Sequence, residues 1–165
     1  LERLNRLAFH LLKKREDAED ATQETLMKII EKIHTFEKTS SLYSWIYRIC
    51  LNQCFMSLRN QKGKKHISWE EHAPRYEHGI RVQSISGWEK LPDEIFLEKE
   101  FQSFVSECVE NLTDDLKTAY ILKDIEDLDE DTVCEILEIN KSTMRNRVHR
   151  ARLILRELLE QKYVR

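Results

Sequence analysis

DEDTVCEILEINKSTMRNRVHRAR, residues 129–152, reads as a short helix, a three-residue turn and the start of a longer basic helix. Asp129 stands where an N-cap belongs, its side-chain oxygen placed to accept from the first-turn amides, so the spacing predicts a helix over Glu130–Leu137. Glu138-Ile139-Asn140 makes the turn. The last helix follows from about Lys141 to Gln161, with Met144, Val148, Ala151, Leu155 and Leu158 predicted as its buried stripe. Two helices joined this way form a helix-turn-helix. The outward face of the second carries Ser142, Arg145, Asn146, His149 and Arg150, with Lys141 and Thr143 at its start. Arginine can bond guanine O6 and N7 together, asparagine can pair with adenine, and Ser, Thr or Lys near a helix start can hold phosphate. The competing reading is a basic helix that covers the acidic stretch preceding it.

Working outward, residues 141–165 carry a net +6 and residues 114–138 a net −8, while residues 1–65 carry +5 and 66–110 carry −6. The total of −3 conceals this segregation, and a net-acidic chain can still bind nucleic acid through dedicated basic faces. Upstream of the turn, a helix is predicted over about Asp114–Asp124 with Thr113 as N-cap, and another over about Ile95–Asn111. With three Gly and two Pro in 165 residues, strand-rich architectures are disfavoured.

Toward the N-terminus, Leu4, Leu7, Ala8, Leu11 and Leu12 repeat at helical spacing through about Lys14. A second helix is predicted from about Asp17 to His34. It places Ala18, Thr22, Thr25, Ile29 and Ile33 on one face and Asp17, Asp20, Glu24, Lys28 and Glu31 on the other, with Gln23 and Met27 at the margin. A polar loop, Thr35–Ser41, leads to a third helix over about Leu42–Asn60, whose buried stripe is expected at Leu42, Trp45, Ile46, Ile49 and Met56. A second stripe, Arg48, Asn52, Phe55 and Arg59, points away from the first. Cations, an amide and an aromatic ring beside Thr39-Ser40-Ser41 suit a partly unstacked nucleic-acid strand. An ordinary amphipathic helix with Phe55 packed under the first helix fits the same stripe equally well.

Periodicity fails from His66 to about Asp93, a span longer than ordinary loops and expected to lie along a partner or to be irregular. The expected layout is therefore all-α: a helical domain over 1–65, an acidic linker over 66–94 and a helix-turn-helix domain over 95–165. His66, His72 and His78 recur every six residues, but that period fits neither helix nor strand, so no metal site and no cofactor are expected. Four cysteines, Cys50, Cys54, Cys108 and Cys134, show no CxxC spacing and read as small reduced core fillers. Together with the lack of any apolar run near 18 residues, they point to a cytoplasmic chain. Leu1-Glu2-Arg3-Leu4 has neither a start Met nor a signal-peptide pattern, consistent with native residues preceding Leu1. No nucleophile triad or phosphate-cradling glycine loop is present, so an enzyme is not expected.

Three of these segments carry a family resemblance. Arg15-Glu16-Asp17-Ala18-Glu19-Asp20-Ala21-Thr22-Gln23-Glu24-Thr25, following Leu11-Leu12, resembles the sigma-two domain of extracytoplasmic-function sigma factors of the sigma-70 superfamily. Tyr43-Ser44-Trp45-Ile46-Tyr47-Arg48-Ile49 with Asn52 resembles the promoter-reading helix of that domain. Leu112-Thr113 through Arg147-Val148-His149-Arg150-Ala151-Arg152 resembles the sigma-four domain. Such a resemblance implies a sigma factor that directs bacterial RNA polymerase to promoters. Asp17, Asp20, Gln23 and Glu24 would then dock on the coiled coil of the polymerase's largest subunit. Lys38, Ser40, Ser41, Tyr43, Arg48, Asn52 and Arg59 would serve the −10 element, with a flipped non-template base. Lys141, Ser142, Thr143, Arg145, Asn146, His149 and Arg150 would serve the −35 duplex. Further implied partners are the flap of the second-largest subunit, promoter DNA and an anti-sigma protein, with no membrane insertion. Three departures stand out: Glu138 occupies a turn position where the family usually carries Gly, at a conformational cost of about 1 kcal/mol, Cys134 stands where Ala is usual, and His149 stands where an aromatic or aliphatic residue is common. A stand-alone helix-turn-helix regulator and a protein-only adaptor are the alternatives from other classes.

Overall fold

The computed structural model describes residues 1–37, 40–60, 76–77, 80–81 and 99–163. Helix α1 (Glu2–Leu12) presents Leu4, Leu7, Ala8, Leu11 and Leu12 to the core. It ends at Lys13, whose left-handed backbone (φ 61) returns its N–H to Phe9 O and so stops the helix. Helix α2 (Arg15–Lys32) has Glu16 and Asp17 in its first turn, where carboxylates complement the helix dipole. A 3₁₀ turn, Ile33–Thr35, and an irregular loop lead to α3 (Leu42–Asn60). These three helices pack on one another.

The predicted faces of α2 and α3 need correction. Only the first half of α2 is buried, at Ala18, Ala21, Thr22 and Thr25, while Ile29 is half-buried and Ile33 is exposed. On α3 the buried residues are Ser44, Tyr47, Cys50, Leu51 and Cys54; Leu42 and Met56, expected inside, are exposed, and Trp45, Ile46 and Ile49 are half-buried. The reason is packing distance: small Ser and Cys side chains let α3 lie close to α1 and α2, which a stripe of bulky residues would prevent. Cys50, Cys54, Cys108 and Cys134 are all free thiols, the first three buried, in line with their reading as core fillers. Burial pushes the Cys108 thiol up to about 11.

Residues 76–77 and 80–81 pair as a two-residue antiparallel ladder, Tyr76 against Arg81 and Glu77 against Ile80. The C-terminal half contains α4 (Lys99–Glu110), α5 (Asp114–Tyr120), a π-helical turn (Ile121–Ile125), α6 (Glu130–Leu137) and α7 (Lys141–Tyr163). Thr113 occupies the N-cap position of α5 without a side-chain cap bond, contrary to its expected role. Asp129 does cap α6, accepting from Thr132 N–H at 2.9 Å, and Asn140 caps α7 by accepting from Thr143 N–H at 2.8 Å. The predicted Asp114–Asp124 helix is thus an α-helix that widens into a π turn. The inner face of α7 is Met144, Val148, Ala151, Ile154, Leu155 and Leu159, with Leu158 half-buried.

A single buried cluster runs through both halves, from Leu4, Leu7, Leu11 and Tyr47 to Leu116, Leu122, Val133, Met144 and Ile154. Helix α3 meets α6, and α1 meets the π turn. Among the described residues no helix is long and apolar enough to cross a membrane.

Candidate nucleic-acid and polymerase interfaces

The helix-turn-helix is built as its sequence implies. Val133, Ile136, Met144 and Val148 lock α6 against α7, and Glu138 makes the turn at φ 55, ψ 41, the left-handed conformation that the missing glycine would have taken without strain. On the outer face of α7, Lys141, Ser142, Arg145, Asn146, His149 and Arg150 are exposed and Thr143 is half-buried.

Both readings of the basic helix find support in its ion pairs. Arg147 reaches Asp115 and Arg152 reaches Asp124, each at 2.6 Å, so these two arginines tie α7 to the acidic α5 and π turn. Arg145 makes a bidentate contact with Glu130, Nε at 3.0 Å from Oε1 and Nη2 at 2.6 Å from Oε2, and Lys141 contacts Asp131 at 2.7 Å. The bond from Arg145 holds the Glu130 carboxyl below the usual carboxylate range. These latter two pairs lie at the surface, where exchange of a carboxylate for a phosphate or base edge costs little.

The second constellation runs along α3, from Ser40 and Ser41 just before it to Arg59 in its last turn. Asn52 and Arg59 are exposed; Phe55 is half-buried and packs against the core, which satisfies the amphipathic reading for that residue. Tyr43 is half-buried and its ring lies 4.3 Å from that of buried Tyr47, so it faces inward in this arrangement. Arg48 is half-buried: Nη2 donates to Ser40 Oγ at 2.7 Å and Nη1 bonds Glu138. Ser41 N–H and Ser44 Oγ both donate to Glu135 Oε2, at 3.2 and 2.8 Å, and these bonds hold the Glu135 carboxyl below its ordinary range. Lys38 and Thr39 lie outside the described residues, as do His66, His72 and His78.

The third surface is α2. Asp20, Gln23 and Glu24 are exposed and Asp17 is half-buried. Beside them Leu26, Met27, Ile30 and Ile33 are exposed apolar side chains, Ile30 to 73%. A run of this kind on one helix marks a contact surface. The sequence reading assigned Ile33 to the core and Met27 to a margin; among the described residues the last buried position of α2 is Thr25 and Ile29 is half-buried, so the apolar side chains of its second half stay largely at the surface.

Comparison with known proteins follows the same division. The family description "Sigma-70 region 2" matches residues 1–64 and "Sigma-70, region 4" matches residues 105–155. The chain is 29% identical over 150 residues to the ECF RNA polymerase sigma-E factor of Haemophilus influenzae, covering 90% of this chain and 75% of that one. It is 28% identical over 138 residues to the ECF RNA polymerase sigma-E factor of Escherichia coli, covering 82% and 70%. Among solved structures, the sigma factor RpoE in complex with the anti-sigma factor NepR from Bartonella quintana matches with a TM-score of 0.65 and 25% identity, over 98% of this chain and 92% of that one. CnrH in complex with the cytosolic domain of CnrY matches at 16% identity with a TM-score of 0.63 over 96% and 81%, a likeness of fold.

Proposed function

Because this chain belongs to the extracytoplasmic-function group of the sigma-70 family, carrying regions 2 and 4 in order, we propose that it divides promoter recognition between three surfaces. On this reading α2 docks on the largest polymerase subunit through Asp17, Asp20, Gln23 and Glu24, with Leu26, Met27 and Ile30 supplying the apolar contact. Ser40, Ser41, Arg48, Asn52 and Arg59, with Lys38 and Tyr43, serve the −10 element and a flipped base of the non-template strand. Lys141, Ser142, Thr143, Arg145, Asn146, His149 and Arg150 serve the −35 duplex. The domains correspond to 1–65 and 95–165, and the acidic 66–94 segment passes along the polymerase between them.

The observation that carries this reading is the pairing of an exposed polar face on α7 with an exposed acidic-apolar face on α2, each outside the shared core. One surface suits duplex DNA and the other suits protein. A stand-alone regulator needs the first but gives the second no work. Sigma factors bind RNA polymerase and start transcription on it without being its catalyst, so no reaction is assigned to this chain. Its action belongs in the bacterial cytoplasm where the polymerase is. The likeness to a sigma factor solved with its anti-sigma factor supports an inhibitory protein partner here too.

Two weak readers held at fixed separation by the polymerase gain effective concentration that the free protein lacks. The purified chain is therefore expected to bind core polymerase tightly and promoter-length duplex weakly when alone. Salt-sensitive duplex binding of comparable strength without polymerase, and no binding to core, would instead establish the stand-alone regulator.

A further inference from the structure

We propose that Glu130, on the first helix of the helix-turn-helix, determines specificity by positioning Arg145: it holds one edge of the guanidinium so that the other edge selects guanine at one position of the −35 duplex. The inference rests on the assignment of Arg145 to that duplex and adds to it a residue that acts through the arginine.

An arginine carries its N–H donors in a planar fork, and two edges of that fork each present a parallel pair. Glu130 occupies one of them: Nε donates to Oε1 at 3.0 Å and Nη2 to Oε2 at 2.6 Å. The edge left over is made by Nη1 and the second hydrogen of Nη2. Among the described residues Nη1 of Arg145 donates to nothing, and the side chain is 63% exposed despite its ion pair. That edge has the spacing to meet guanine O6 and N7 together. One arginine can therefore serve carboxylate and base at once, and the pair need not be broken for DNA to be read.

The carboxylate is itself well placed to act as a buttress. Asp129 accepts from Thr132 N–H and Thr132 Oγ1 at 2.9 and 2.6 Å, which fixes the first turn of α6, where Glu130 sits. Val133 and Ile136 of α6 and Met144 and Val148 of α7 share the core, so donor and acceptor ride on two helices held against each other. The bond from Arg145 holds the Glu130 carboxyl below its ordinary range, with Lys141 and Lys123 adding to the effect, so the buttress is ionised at neutral pH. Arg147 and Arg152, by contrast, are tied back to Asp115 and Asp124 on α5 and the π turn.

A free arginine that meets the wrong base can swing to a phosphate, a contact that carries no sequence information. Arg145 cannot do so without leaving Glu130 alone to face the negative DNA backbone. Discrimination then comes from repulsion at the wrong base as well as from attraction at the right one.

The test uses holoenzyme reconstituted from core polymerase and the full-length chain, transcribing one chain-dependent promoter randomised across its upstream block. Guanine preference at each position is read from transcript counts for wild type, Glu130→Ala, Arg145→Ala, the double variant and Glu107→Ala, an exposed charge control on α4. Glu130→Ala should cut guanine preference at a single position from about tenfold to about threefold, at the position where Arg145→Ala abolishes it. The double variant should match Arg145→Ala there, and Glu107→Ala should match wild type throughout. Glu130→Gln keeps the size of the side chain and one acceptor; its preference should fall between wild type and Glu130→Ala, whether or not the alanine variant folds well. A merely structural Glu130 would lower the thermal midpoint and all transcription together with the preference unchanged. That result, or a preference lost at a position that Arg145→Ala leaves intact, overturns the buttress while the −35 assignment stands. Unchanged preferences in Arg145→Ala overturn that assignment and the buttress with it.

Discussion

Arg6 and Glu126 stand 120 positions apart and form a two-pronged ion pair in which the carboxylate is sealed from water and the guanidinium is half-exposed. The pair binds the first helix of the chain to the segment that introduces the helix-turn-helix. Its importance is asymmetric: loss of Arg6 would leave a buried carboxylate whose remaining ion-pair partner among the described residues is His10, at 3.8 Å. Arg6→Ala should therefore destabilise the folded chain by about 1 kcal/mol, at the low end for a buried charge because water already screens the arginine. Urea unfolding with helicity as the readout checks this, and an unchanged midpoint would contradict it.

Glu138 combines two roles that pull in opposite directions. Its left-handed backbone favours glycine, and its side chain holds Arg48. Glu138→Gly should raise stability by about 0.5–1 kcal/mol through relief at the turn, the exposed contact to Arg48 contributing less than the strain costs. Thermal unfolding measures the difference. A variant with a lower midpoint would show that the turn is not strained.

His10 predicts a response to acid. Burial, then Lys13, then Arg6 push the His10 imidazole below its ordinary value of 6.5, partly opposed by Glu126. The folded state thus binds fewer protons than the unfolded one. Stability conferred by neutral His10 is full above 6.5 and is lost as pH falls below it toward the depressed folded value. Unfolding midpoints measured between pH 7.5 and 5.5 should decline, and His10→Gln should flatten that decline. An identical slope in the variant would place the acid sensitivity elsewhere.

The surfaces on α2 and α7 should separate by mutation. Arg145→Ala is expected to lower promoter use by about tenfold while leaving polymerase binding intact, since a lost bidentate base contact costs on that order. Asp20→Ala with Gln23→Ala is expected to weaken polymerase binding and leave helix-turn-helix contacts to DNA unaffected. Pull-down on core polymerase and a reconstituted transcription assay distinguish the two. Equal loss of polymerase binding in both variants would erase the division of labour.

The helix-turn-helix was legible because every device in it is local: the Asp129 cap, the apolar spacing from Val133 to Val148 and the exposed polar residues of α7 all lie within about twenty-five residues. The faces of α3 were not, because their burial depends on α1, α2 and α6, and because Ser44, Cys50 and Cys54 are small enough to be overlooked in a pattern search for bulky residues. The charge blocks were visible in the sequence, yet which carboxylates meet which cations (Glu126 with Arg6, Glu138 with Arg48) is fixed only by packing over some ninety residues or more. The exposed apolar residues of α2 were visible as letters but not as surface, since periodicity cannot tell which side chains a neighbouring helix covers.

The most direct measurement of the central claim is 5′-end mapping of transcripts made from genomic DNA fragments by core polymerase with and without this chain. A sigma factor with two separated readers predicts chain-dependent start sites that share two short sequence blocks at constant spacing, with the upstream block degraded by Arg145→Ala. Start sites unchanged by adding the chain, or sharing no upstream sequence, would contradict it.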